Sequence, residues 1–147
     1  MSQNKRLAGI DLAWMGARNP TALAWGKVDG SRVKLEGIEQ GLFGPEAIFT
    51  ALQAIPDLHG ITIDGPTIIN NHSGQRICER ELVSVYGGRK AGCHASNLSL
   101  YPQPEGVALS LELQRLGFQH LAPPSERWQL EVYPHPALIE IFGLPER

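Results

Sequence analysis

Apolar and polar positions divide the chain into short runs, first with the period of a strand and later with that of a helix. Leu7 to Trp14, LAGIDLAW, is an apolar run of strand length holding one acid, Asp11. A loop marked by Gly16, Asn19 and Pro20 follows, and TALAWGKV predicts a second strand. Asp29-Gly30 is a two-residue hairpin signal, and RVKLEGIE, Arg32 to Glu39, predicts a third strand. In alternation Val33, Leu35 and Gly37 share one face of it, and Arg32, Lys34 and Glu36 share the other. Three antiparallel strands in a meander open the chain.

The period then changes. Gly44-Pro45 starts a helix in which Ala47, Ile48, Ala51, Leu52 and Ile55 keep helical spacing, and Pro56 ends it. HGITIDGP reads as a short buried strand closed by Asp64 and stopped by Gly65-Pro66. A strand, a crossover helix and a strand imply parallel pairing with a right-handed connection. Thr67 to Ser73 is polar and loop-like. GQRICERELVSVYG predicts a helix with Ile77, Leu82 and Val85 on one face and Gly87-Gly88 at its end. Arg89 to Pro104 reads as a long loop. GVALSLELQRLGF is an amphipathic helix, Trp128 to Tyr133 a fifth strand, and PALIEIFG, opened by Pro136, a last helix. The order β-β-β-α-β-α-α-β-α predicts an α/β fold: a mixed five-stranded sheet, antiparallel over strands one to three and parallel thereafter, flanked by helices.

Composition narrows the class. The 147 residues suit one domain, which would bury roughly 70% of its unfolded surface. A hydrophobic fraction of 42% with 19% charged residues describes a globular protein and excludes a disordered one. The net charge of -2 provides no whole-molecule attraction to a polyanion, so any such contact needs a local basic patch or metal ions. Two cysteines, Cys78 and Cys93, make no disulfide framework. The opening MSQNKRLAG has no apolar signal core, and no apolar run is long enough for a bilayer, so a cytoplasmic location is expected.

The chemistry lies in isolated acids. Asp11, Asp64 and Glu131 each sit in or at the end of an apolar strand-like run, where an unpartnered carboxylate is costly. Any one alone reads as a solvated strand end or a helix cap. The three together read as oxygen ligands for Mg or Mn, able to serve phosphodiester cleavage if the first, fourth and fifth strands are neighbours. Arg76 and Arg80, spaced i, i+4, share a helix face and with Arg89, Lys90 and His94 predict a cationic strip for phosphates. The competing reading is a solvated face paired with Glu79 and Glu81. His72, Cys78, Cys93 and His94 match no standard zinc spacing. There is no nucleophile elbow and no glycine-rich phosphate loop. His135, in the Tyr133-Pro134-His135-Pro136 turn, reads first as a surface turn residue.

Taken in order, GIDLAW, TALA, ITIDGP, GQRICERELVSVYG and EVYPHPALIEIFGLPER resemble the DUF429 family, predicted nucleases of the ribonuclease H-like fold. The resemblance implies a mixed five-stranded sheet with acids on the first and fourth strands, matched by Asp11 and Asp64, and a third in EVYP, matched by Glu131. It makes Glu79 and Arg80 secondary site candidates. It also implies a chain continuing past LPER with a further acid on a later helix. Here that points to a missing C-terminal segment, unless Glu140 substitutes.

The function expected first is a Mg- or Mn-dependent nuclease, with Asp11, Asp64 and Glu131 catalytic and metal-holding and Arg76 and Arg80 on the substrate. The alternatives are a non-catalytic ribonuclease H-like binding module and a minimal ATP-handling relative of the actin and sugar-kinase group. Expected partners are nucleic acid, DNA or RNA, and a second copy in a homodimer, with no membrane.

Overall fold

Hairpin chemistry builds one side of the sheet. Gly30 takes φ of 59°, which an L side chain resists, and closes β2 (Thr21–Asp29) onto β3 (Arg32–Leu42). β1 (Arg6–Asp11) pairs antiparallel with β2 and parallel with β4 (Leu58–Asp64), reached through α1 (Gly44–Gln53). The remaining elements are α2 (Ile77–Tyr86), a 3-10 turn (Gly87–Arg89), α3 (Glu105–Arg115), β5 (Gln119–His120), β6 (Trp128–Val132) and α4 (Pro134–Phe142). The computed structural model describes residues 4–15 and 18–147; Gly16, which marks the predicted loop after the first strand, lies outside the described residues.

The sheet order is β3-β2-β1-β4-β6-β5. The antiparallel meander and the parallel continuation agree with expectation, but the sheet has six strands where five were expected. The extra one, Gln119–His120, is two residues long and carries no periodicity to read. Among the described residues no helix is long and apolar enough to cross a membrane.

The chain divides into two compact units. The first joins the stretch up to Thr67 with Glu105–Val132 and holds the sheet, α1 and α3. The second joins Ile68–Pro104 with Tyr133–Arg147 and holds α2, the 3-10 turn and α4.

In the first unit, Ala8, Ile10, Leu23, Ile61 and Ile63 form one apolar sheet face, packed with Ile48 and Leu52 of α1 and Leu109 and Leu113 of α3. Gln129 is fully buried on that face because its amide nitrogen donates to the carbonyls of Ser110 and Phe118. Two glycines accept a neighbouring indole: Trp25 lies over Gly37 and Trp128 over Gly60, so close that a Cβ at either glycine would come within 2.2 Å of the ring. Strict alternation fails in β3. Leu35 pairs with Gly26 and Gly37 with Trp25, which leaves Glu36 as the extra residue of a bulge. Gly37 therefore turns to the Trp25 side, and Ile38, opposite Ala24, joins the row of Val33 and Leu35.

In the second unit α2 does not bury the face predicted for it, of which only Leu82 is half-buried. Ile77 and Val85 are exposed, and the buried residue is Glu79. Apolar spacing suggested the opposite, but hydrogen bonds to Glu79 decide which side goes in. Nearby, the Asn71 amide donates to the carbonyls of Ser73, Gly74 and Ser96, and that of Asn97 also donates to Gly74.

Candidate functional site

β1 and β4 end on the same level. Asp11 is the register partner of Asp64, on neighbouring parallel strands that stand about 4.8 Å apart. Partners in register project to the same face, so the two carboxylates lie side by side. The register is pinned nearby: the Thr62 hydroxyl donates to the Ala8 carbonyl at 3.3 Å across the two strands. Past Asp11, the Ala13 N–H donates to Thr21 Oγ1 at 3.0 Å, fixing the exit of β1 on β2.

Asp11 is exposed, and Asp64 is half-buried. Burial, then the charge of Asp11, then that of Glu131, push the Asp64 carboxyl up to about 6. Both other predicted acids therefore act electrostatically on Asp64, although the three do not converge equally. Glu131 is the register partner of Ile63, one step back from Asp64. Alternation turns it to the face of Ile63 and Gln129, away from the Asp11–Asp64 pair. There its Oε2 accepts the Thr67 N–H at 2.9 Å and the Thr67 hydroxyl at 3.2 Å. Among the described residues no three His, Cys, Asp or Glu side chains group as a ready-made metal site.

Thr67 is a site residue that strand patterns did not mark; its place directly after Gly65-Pro66 is the signal that was available. Gly106 supports the same corner. A Cβ there would meet the Pro66 carbonyl at 2.3 Å, so glycine lets α3 approach the turn that follows Asp64.

The remaining candidates belong to the second unit. Arg76 is committed within it: Nε pairs with Glu79 Oε1 at 2.8 Å and Nη1 donates to the Ile68 carbonyl at 3.0 Å. Glu79 also accepts the N–H groups of Arg76 and Ser96. Burial would push the Glu79 carboxyl up, but hydrogen bonds from Ser96 and Arg76 outweigh it and hold it below its ordinary value. Arg80 is exposed. Two more members of the predicted cationic strip are drawn into pairs, Arg89 with Glu140 and the carbonyls of Leu144 and Pro145, and Lys90 with Glu146, while His94 is exposed. His135 stacks edge-on against Tyr133, and burial, then the Arg147 charge, lower its pKa.

Fold and site together define a mixed α/β protein with an acidic pair at the ends of two adjoining parallel strands. Residues 9–147 match the family model described as "Protein of unknown function (DUF429)", and the chain belongs to that family. No curated protein and no solved structure matches the chain.

Proposed function

We propose that the protein is a divalent-metal-dependent phosphodiesterase acting on nucleic acid, with a ribonuclease H-like arrangement of its sheet. The observation that carries the reading is the register of Asp11 with Asp64. Two carboxylates held this close repel, and that repulsion adds to burial, the larger cause, in raising the Asp64 pKa. A dication relieves it. The donors are all oxygen, as Mg and Mn prefer, and Mg is commonly held by only one or two carboxylates, with water and substrate phosphate completing its shell.

In this proposal Asp11 and Asp64 hold the cation, which when bound would supply positive charge to the phosphodiester oxygens and acidify a water. Both carboxylates bind it as anions, so the affinity of the metal-free protein for the cation rises as pH passes through about 6. Glu131, fixed by Thr67, adds negative potential without being a direct ligand. Arg76 is a positioning residue for Glu79, which leaves Arg80 as the cation of α2 available to phosphate. The antiparallel opening and parallel continuation of the sheet support the ribonuclease H-like reading by analogy of fold.

The test is hydrolysis of labelled DNA and RNA, single- and double-stranded, with Mn or Mg. Cleavage lost in Asp11→Asn and Asp64→Asn but kept in Arg80→Ala at reduced affinity supports the proposal. Cleavage indifferent to both Asp variants rejects it. One observation favours a second reading, a non-catalytic binding module: Glu131 faces away from the pair. Nucleic-acid binding without cleavage, unchanged by metal, would select that reading.

A further inference from the structure

We propose that β3 is a homodimer interface, in which two copies pair antiparallel, edge to edge, into one continuous sheet. β3 is the outer strand of the sheet and runs for 11 residues, Arg32–Leu42, with no proline. That is about twice the usual strand length, and long open edges invite pairing with another chain.

The direction of its main chain can be deduced. The Val28 N–H donates to the Lys5 carbonyl, so the polar groups of Val28 face away from β3. Its cross-strand partner Val33 therefore turns its own N–H and C=O outward. The same holds for Leu35, opposite Gly26, and beyond the bulge for Ile38, opposite Ala24. These are the three exposed large apolar residues of the strand, the fourth, Leu42, being buried in the core. Their side chains share one face and are 53%, 60% and 59% exposed. Unpaired main chain and uncovered apolar surface thus coincide at the same three positions.

The charges select a second copy as the occupant. Glu36 is taken by Arg6, whereas Arg32 and Glu39 form no ion pair with the described residues. A two-fold axis through Leu35 sets Leu35 against Leu35, Lys34 against the Glu36–Gly37 bulge, and Val33 against Ile38. It then brings Arg32 of each copy opposite Glu39 of the other. β2 already pairs with β3 across the same bulge, so the register requires no new distortion. Opposite charges facing each other across strands stabilise such a pair, and like charges oppose it.

Sedimentation of the full chain, without metal or nucleic acid, tests the interface. The wild type is expected to sediment as a dimer. Arg32→Glu and Glu39→Arg each place like charges together and should weaken the dimer about tenfold or more. Mixing the two variants in equal amounts should restore it, because every contact then joins opposite signs. A monomeric wild type at high micromolar concentration, a dimer indifferent to both reversals, or variants that fail to recover on mixing would each overturn the proposal.

Discussion

Asp64 and Glu79 are carboxylates whose surroundings act in opposite senses. Asp64 has its pKa raised to about 6 by burial and by its acidic neighbours. The folded state therefore binds a proton more tightly than the unfolded chain between about pH 4 and 6, and this group's contribution to stability falls as pH rises through that window. Glu79 is held below its ordinary value. Its contribution is present above the unfolded pKa and is lost as pH falls through the folded one. In the absence of metal, Asp64→Asn should melt a few degrees above the wild type at pH 8, with the gap closing below about pH 4. Glu79→Gln should melt below the wild type at pH 8, with that gap narrowing in acid. Thermal melts at several pH values check both; an Asp64→Asn chain less stable than the wild type at pH 8 would contradict an Asp64 carboxylate destabilised by burial and by its acidic neighbours. In the sequence Asp11 and Asp64 stood out only together with Glu131, because any one such acid alone reads as a solvated strand end or a helix cap. The occupation of Arg76 was not legible, because an arginine three residues before a glutamate looks alike whether solvated or folded inward.

At the scale of elements, close approach governs what can be replaced. The Trp128 ring occupies the space of a Gly60 side chain. Gly60→Ala forces the indole or β6 aside and should cost about 1–3 kcal/mol in denaturant unfolding. Gly88, with nothing within 4 Å of an added Cβ, is the control and should change little. Equal effects at both would mean that the ring is not packed as described. Element types were readable from periodicity, but their ends less so: α1 stops at Gln53, short of Pro56, and α4 starts at Pro134, before Pro136. The failures have local causes. β5 is too short to show a period, the bulge at Glu36 shifts alternation by one residue, and α2 turns a hydrogen-bonded glutamate inward while leaving Ile77 and Val85 in water.

For the whole molecule, chain order and the rule for parallel crossovers allowed β1, β4 and β6 to be neighbours without requiring it, and the sheet order makes them so. Chain order could not set their register, and a one-residue offset reverses the face of every side chain. That is why the expected trio resolves into a pair, Asp11 with Asp64, and a third acid clamped by Thr67 on the other face. The reading of function rests on whether this pair captures a dication. Titration of Mn into the nucleic-acid-free protein at pH 7.5, followed by calorimetry, asks this directly. The account predicts saturable binding that is at least about tenfold weaker in Asp11→Asn and in Asp64→Asn, and only modestly weaker in Glu131→Gln. Binding unchanged in both Asp variants, or no binding by the wild type at millimolar Mn, would contradict it.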